Sequence, residues 1–299
     1  MAVARARPVV PLAAHARLVV PVLSGSGGSG RSTVSGLLAA GLAALGPAVV
    51  LDTASAVSPW RFWTSGGSGL ESLPPDQPQN AAQVEAAASA LGLGGRGVRV
   101  LTDRRLWSAQ PLVLPGKPQA WLQLAALGGW PVAVADTGFS VISDLVDARW
   151  EGIPPRSAAW WQISPSVPLI VASSSADGLE EAAVALAALA DARLDAERCV
   201  LVVVDMSGAR VPRQVKAALT MLQARVGAVV DLPYDPAIRG QGLRATAELA
   251  SATWRAVDRL TSAVVQRAEQ YFGPLRAPTP PALLPSAPME VPRDVQPSH

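Results

Sequence analysis

Short Val-rich runs alternate with Ala- and Leu-rich stretches of helical length along nearly the whole chain. The runs at 18–23, 48–51, 98–101, 132–135, 169–172, 200–204 and 228–232 are apolar without a regular polar alternation. Runs of that kind suit strands covered on both faces. Between them, 32–45, 83–91, 118–127, 179–189, 212–224 and 250–272 read as helices. The order predicts an α/β protein: a doubly wound, mostly parallel sheet flanked by helices.

Two stretches break the alternation. Residues 64–80 are rich in Gly, Ser and Pro and read as a mobile loop, and a long loop inside a compact domain is often functional. At the other end, Gly273-Pro274 stops the last helix, and the segment from Ala277 to His299 is Pro-rich with few large apolar residues. The expected organisation is therefore a flexible arm at 1–16, one domain at 17–272 and a disordered tail at 273–299.

Length and composition allow this picture without deciding function. The chain has 299 residues, 49% hydrophobic and 16% charged, with a formal net charge of +2. That is long enough for a sizeable core and too weakly basic to signal nucleic-acid binding. The single cysteine, Cys199, opens an apolar run and has no partner for a disulfide or metal cluster, so it reads as buried filler in a reducing, cytoplasmic setting. His15 and His299 stand alone, and no group of His, Cys or carboxylates has metal-ligand spacing. Residues 32–51 are uncharged and about 20 long, enough to span a bilayer. Gly46-Pro47 interrupts them, however, as a helix-to-strand turn would. At the N-terminus, His15 and Arg17 cut the apolar run too early for a signal peptide.

The most specific local signal is Gly25-Ser26-Gly27-Gly28-Ser29-Gly30-Arg31-Ser32-Thr33, placed after a buried strand and before an Ala/Leu helix. It fits the phosphate-loop frame G-x-x-x-x-G-K-[ST] with arginine in the lysine position. Glycines let successive N–H groups turn inward, and the helix N-terminus adds partial positive charge for phosphate oxygens. Ser32 is placed to put its hydroxyl on a magnesium ion. A flexible Gly/Ser linker would share the composition but not the strand–loop–helix context.

The loop resembles the deviant P-loop of the MinD/ParA family, K-G-G-x-G-K-[ST]-[ST], and the resemblance runs over roughly residues 17–250. Val49-Val50-Leu51-Asp52 is similar to the family's second strand, whose aspartate opens switch I. Val132-Ala133-Val134-Ala135-Asp136-Thr137-Gly138 is similar to its Walker B strand, whose aspartate orders the magnesium shell, with the glycine opening switch II. Leu232-Pro233-Tyr234-Asp235 is similar to the I-P-x-D segment near the base, followed by a helix start at 240–243. The resemblance implies a P-loop NTPase fold, ATP with magnesium as cofactor, Ser32 and Asp136 at the metal, and Asp52 and Asp136 ordering magnesium or water. It places Gly25 to Thr33, Asp205, Pro233 and Asp235 around the nucleotide.

Four departures set this chain apart from that pattern. Arg31 keeps the charge of the family's lysine but not its compact ammonium. Ser26 stands where the family has the lysine that crosses a dimer interface. Ala54 replaces the second aspartate of D-x-D, which orients the attacking water. Asp205 stands where an asparagine usually recognises adenine, so GTP is not excluded. Phosphoryl transfer depends on positioning and on charge at the γ-phosphate, so hydrolysis is expected to be impaired or absent.

Of nine tryptophans, eight lie between Trp60 and Trp161, and Trp150, Trp160 and Trp161 fall in or beside the Pro-rich stretch 150–168. Core packing accounts for most of them, but aromatics among prolines also suit an interface, and 150–168 is the expected partner surface. Arg255 and Arg259 share one face of the last helix, which reads as solvated. Autonomous membrane attachment is not expected, because MinD proteins dock through a C-terminal amphipathic helix and this end is Pro-rich. The functional expectation is a cytoplasmic, bacterial, nucleotide-binding pseudo-ATPase, dimeric by family analogy, acting as regulator or scaffold. The alternatives are an active ATP-dependent dimerising switch that positions a cargo, and an unrelated α/β protein with a linker by chance.

Overall fold

The computed structural model describes residues 17–54, 58–74, 77–106, 108–110 and 112–275. The expected arm at 1–16 and all of the expected tail from 276 lie outside them. The strands are β1 (Leu18–Ser24), β2 (Ala48–Asp52), β3 (Thr64–Ser65), β4 (Ser89–Leu91), β5 (Val98–Leu101), β6 (Val132–Asp136), β7 (Leu169–Ser173), β8 (Val200–Val204) and β9 (Ala228–Leu232). They form one sheet in the order β3-β4-β5-β2-β6-β1-β7-β8-β9. Every pairing from β5 to β9 is parallel, while β3 and β4 add an antiparallel edge.

The helices are α1 (Arg31–Leu42), α2 (Trp60–Trp63), α3 (Ala81–Ala87), α4 (Pro118–Leu127), α5 (Val141–Glu151), α6 (Arg156–Trp161), α7 (Ala176–Asp191), α8 (Arg213–Gln223), α9 (Pro236–Gln241) and α10 (Ser251–Phe272). β1 shows why its run carries no polar position: Leu18, Val20 and Val22 pack toward α1 and α10, whereas Val19 and Leu23 pack into the opposite layer. Both faces are buried, so both sets of side chains are apolar. The uncharged stretch 32–51 divides into α1 and β2, with Gly46 turning at φ 149° between them. Among the described residues no helix is long and apolar enough to cross a membrane.

Three expectations need correction. The helix expected at 83–91 starts earlier and ends sooner, because Asn80 and Gln83 cap each other's backbone N–H groups and Ser89–Leu91 leaves to pair with β5. Tertiary pairing overrides the helical preference of an Ala/Leu run. The stretch 64–80, read as a loop, contains β3 and a 3₁₀ turn at Leu70–Ser72 whose Leu70 is buried. The helix expected to start at 240–243 is α9, which ends there; Asp235 caps its N-terminus and Pro236 takes its first position.

Candidate nucleotide site

The loop of Gly25 to Gly30 joins the central strand β1 to α1, at the carboxyl edge of the sheet. Gly28 and Gly30 have φ 74° and 92°, the left-handed region that side chains avoid, and bends of this kind let successive N–H groups turn toward an anion. Gly30 is the N-cap of α1 and supplies no side-chain acceptor, and the first turn carries no acidic residue. The first amides of α1 therefore face outward with their partial positive charge available to an anion. A Cβ on Gly25 would lie 2.7 Å from the carbonyl oxygen of Glu181, so α7 closes against the loop only because glycine is there. Ser26 donates to the Glu181 carboxylate and Ser140, before α5, donates to the Gly25 carbonyl.

One atom in this loop lacks a partner among the described residues. It is Ser29 Oγ, which is buried. Leaving a buried hydroxyl unpaired costs roughly 1–3 kcal/mol. A phosphate oxygen held by the surrounding amides would supply the missing acceptor, so the loop fits a phosphate group.

Asp52 and Asp136 end β2 and β6 and face each other in register across the parallel pair. Both are buried. Asp136 Oδ1 accepts from Ser35 Oγ at 3.3 Å and Oδ2 accepts from Trp60 Nε1 at 2.8 Å. Burial raises the Asp136 pKa, and the hydroxyl of Ser32, the Trp60 indole, the Arg31 charge and the Ser35 hydroxyl oppose that rise. Asp52 is pushed up to about 7, first by burial and then by the neighbouring Asp136 charge, against bonds from Ser58, Thr102 and the Ala54 N–H. Thr102 Oγ1 donates to Asp52 Oδ2 at 2.6 Å. Arg31, half-buried, donates to the Phe139 carbonyl beyond β6; burial lowers its pKa and Asp136 holds it up. Ser32 and Asp136 are thus adjacent oxygen donors of the kind a magnesium ion takes.

Beside Gly30 and Thr33 lies a cleft of about 200 Å³, with walls that include Val204, Leu232 and Ile238. Asp205, Pro233, Tyr234, Asp235 and Arg239 also line it. Asp205 Oδ1 accepts from the N–H groups of Ser207 at 3.0 Å and Gly208 at 2.9 Å. Asp235 differs from Asp205 in that both its oxygens are engaged: Oδ1 caps α9, and Oδ2 accepts from Ala250 N at 2.9 Å and Thr253 Oγ1 at 2.6 Å. Burial alone would raise the Asp235 pKa, but these bonds outweigh it and the net shift is downward. Asp235 therefore ties α9 to the start of α10 at the floor of the cleft.

The fold brings the glycine loop, Asp52, Asp136, Asp205, Pro233 and Asp235 to one edge of the sheet. It adds Trp60, Ser35, Thr102, Ser140 and Glu181, which no local motif announced. Their only sequence signals are a Pro59-Trp60 pair and Ser140 at a helix start. In the stretch 150–168, two of the three expected surface rings are core: Trp160 is 3% exposed and Trp161 2%. Asp144 draws α6 inward by accepting from Arg156 and from the Ser157 N–H. Trp150 is 87% exposed, with Val146 and Ile153 also exposed on and beside α5.

No family model and no curated protein matches the sequence. Solved structures do match. The cell division ATPase MinD of Pyrococcus furiosus aligns over 83% of this chain and 98% of its own, with 17% identity and a TM-score of 0.50. A putative plasmid partition protein of Borrelia burgdorferi bound to AMPPNP aligns over 84% and 99%, with 13% identity and a TM-score of 0.51. A ParA family ATPase from Chlorobium tepidum aligns over 83% and 98%, with 13% identity and a TM-score of 0.52.

Proposed function

We propose that this chain, which has the MinD/ParA-like P-loop ATPase fold, binds a magnesium–nucleoside triphosphate at the Gly25–Thr33 loop and hydrolyses it slowly or not at all. The observation that carries the reading is the Ser29 hydroxyl, buried without a partner among the described residues, inside a loop with left-handed Gly28 and Gly30 at a helix N-terminus. The resemblance implies ATP, while Asp205 in the base cleft admits GTP. Ser32 and Asp136 would hold the magnesium ion, which when bound neutralises phosphate charge. Asp52, behind Asp136, would help order that shell.

The chain's own groups explain the slow turnover. Arg31 is tethered to the Phe139 carbonyl, and a phosphate must compete for it. Ser26 brings no cation and is itself bonded to Glu181. Ala54 has no carboxylate to orient water, and its backbone N–H is directed to Asp52 at 3.2 Å. Losing a cation and a water-positioning base together lowers the rate by orders of magnitude. We assign the protein a regulatory or scaffolding role in the bacterial cytoplasm, as a homodimer or with a protein partner at the exposed face around Trp150.

Calorimetry with magnesium ATP and GTP, followed by a phosphate-release assay, tests the proposal. Binding of one nucleotide with no measurable turnover is the expected result. No binding of either overturns the nucleotide reading. Sustained turnover overturns the pseudo-ATPase part and favours an active dimerising switch.

A further inference from the structure

We infer that the base cleft selects guanine over adenine, with Asp205 as the residue that discriminates. The inference rests on the nucleotide reading of the Gly25–Thr33 loop and specifies which purine that site takes. The cleft adjoins Gly30 and Thr33, where the phosphate loop passes into α1, so a nucleotide whose phosphates lie in the loop places its base in or beside this space. Apolar side chains, Val204, Leu232 and Ile238, offer surfaces for a ring but no pattern to tell purines apart. The discrimination falls to Asp205 and Arg239, two charged side chains of the lining whose charges are not consumed in holding the fold together as that of Asp235 is.

Asp205 is an acceptor without donors. Its Oδ1 is held by the N–H groups of Ser207 and Gly208, which fixes the carboxylate, and Oδ2 takes no hydrogen bond among the described residues. A fixed carboxylate favours a base edge with adjacent donors. Guanine presents N1–H beside its N2 amino group. Adenine presents its N6 amino group beside the N1 or N7 lone pair, so the attraction of its one donor is offset by repulsion from that lone pair. Arg239 adds the complementary half: a guanidinium suits the O6 and N7 acceptors of guanine, whereas the adenine N6 amino group opposes it. Hydrogen-bond readout of a base edge by Oδ2 of Asp205 and by Arg239 discriminates roughly tenfold or more in affinity.

The test measures affinity of the full chain for magnesium GDP, ADP and IDP by calorimetry, using diphosphates so that turnover does not intervene. GDP binding about tenfold or more tighter than ADP is expected, with IDP between them because it keeps N1–H and lacks the N2 amino group. Asp205→Asn keeps an oxygen for the Ser207 and Gly208 amides, so its melting temperature should match the parent's, and it should weaken GDP while leaving or improving ADP. Equal or tighter binding of ADP by the parent protein overturns the inference and leaves the nucleotide site standing. GDP and IDP binding alike, or unchanged discrimination in Asp205→Asn, likewise overturns the role of Asp205. Failure of all three nucleotides to bind overturns the site itself and the inference with it.

Discussion

The indole N–H of Trp60 donates to Oδ2 of Asp136 at 2.8 Å, linking the segment after β2 to the end of the neighbouring strand β6. Trp60 is fully buried and also meets Trp63 edge-on, with ring centroids 5.4 Å apart. The carboxylate that would order a magnesium shell is thereby fixed by an aromatic ring. Trp60→Phe keeps most of the packing but removes the donor. A bond to a charged buried group is worth about 1.5–3 kcal/mol, so a denaturant melt should show a loss of that size. A loss under about 0.5 kcal/mol would mean that Asp136 is satisfied without the indole.

The acid pair predicts an unusual pH profile. Asp52 titrates at about 7 in the folded protein against 3.8 ordinarily, so between these values the folded state holds more protons than the unfolded one. Its contribution to stability is complete below the unfolded value and is lost as pH rises through the folded value. Asp52→Asn removes that loss. The variant should match the parent near pH 4, gain on it as pH rises, and be more stable by about 1–3 kcal/mol at pH 8. Parallel stability curves for the two proteins from pH 4 to 8 would contradict the assignment.

Trp150 and Trp160 should separate surface from core. Trp160→Ala opens a cavity in a buried layer and is expected to cost about 3–5 kcal/mol. Trp150→Ala, at an exposed position, should change stability by no more than about 0.5 kcal/mol while weakening self-association or capture of a partner. Light scattering and denaturant melts on both variants read the two effects. A Trp150→Ala protein that keeps every association of the parent rules out a binding role for this ring.

Turnover should be recoverable if the scaffold is otherwise sound. Ser26→Lys, Arg31→Lys and Ala54→Asp together supply the missing cation, the compact ammonium and the carboxylate that the resemblance implies. Ser26 is bonded to Glu181, so a lysine there would pair with that carboxylate; adding Glu181→Ala frees it. Phosphate release is expected to rise from background in the triple variant and further in the quadruple one. Flat activity in both, with nucleotide still bound, would locate the defect elsewhere in the site.

The layer order, the parallel strands and the glycine-rich strand–loop–helix turn were legible in the chain because each depends on local chemistry. A strand covered on both faces must be apolar throughout, and β5, β8 and β9 appear within the bounds that their runs suggest. The glycine loop is readable because its backbone shape depends on residues lacking Cβ, and Asp52 and Asp136 because they end such strands. Other features depended on contacts between distant segments. Ser89–Leu91 is Ala/Leu sequence that becomes a strand only because β5 offers an edge. Trp160 and Trp161 sit in a Pro-rich stretch that looks exposed, yet Asp144 draws their helix inward. Trp60, Ser35 and Glu181 reach the site from 76, 101 and 155 residues away along the chain from Asp136, Asp136 and Ser26, respectively. No spacing in the sequence encodes such meetings, because they arise only when the sheet order brings the carboxyl ends of β1, β2, β6 and β8 to one edge.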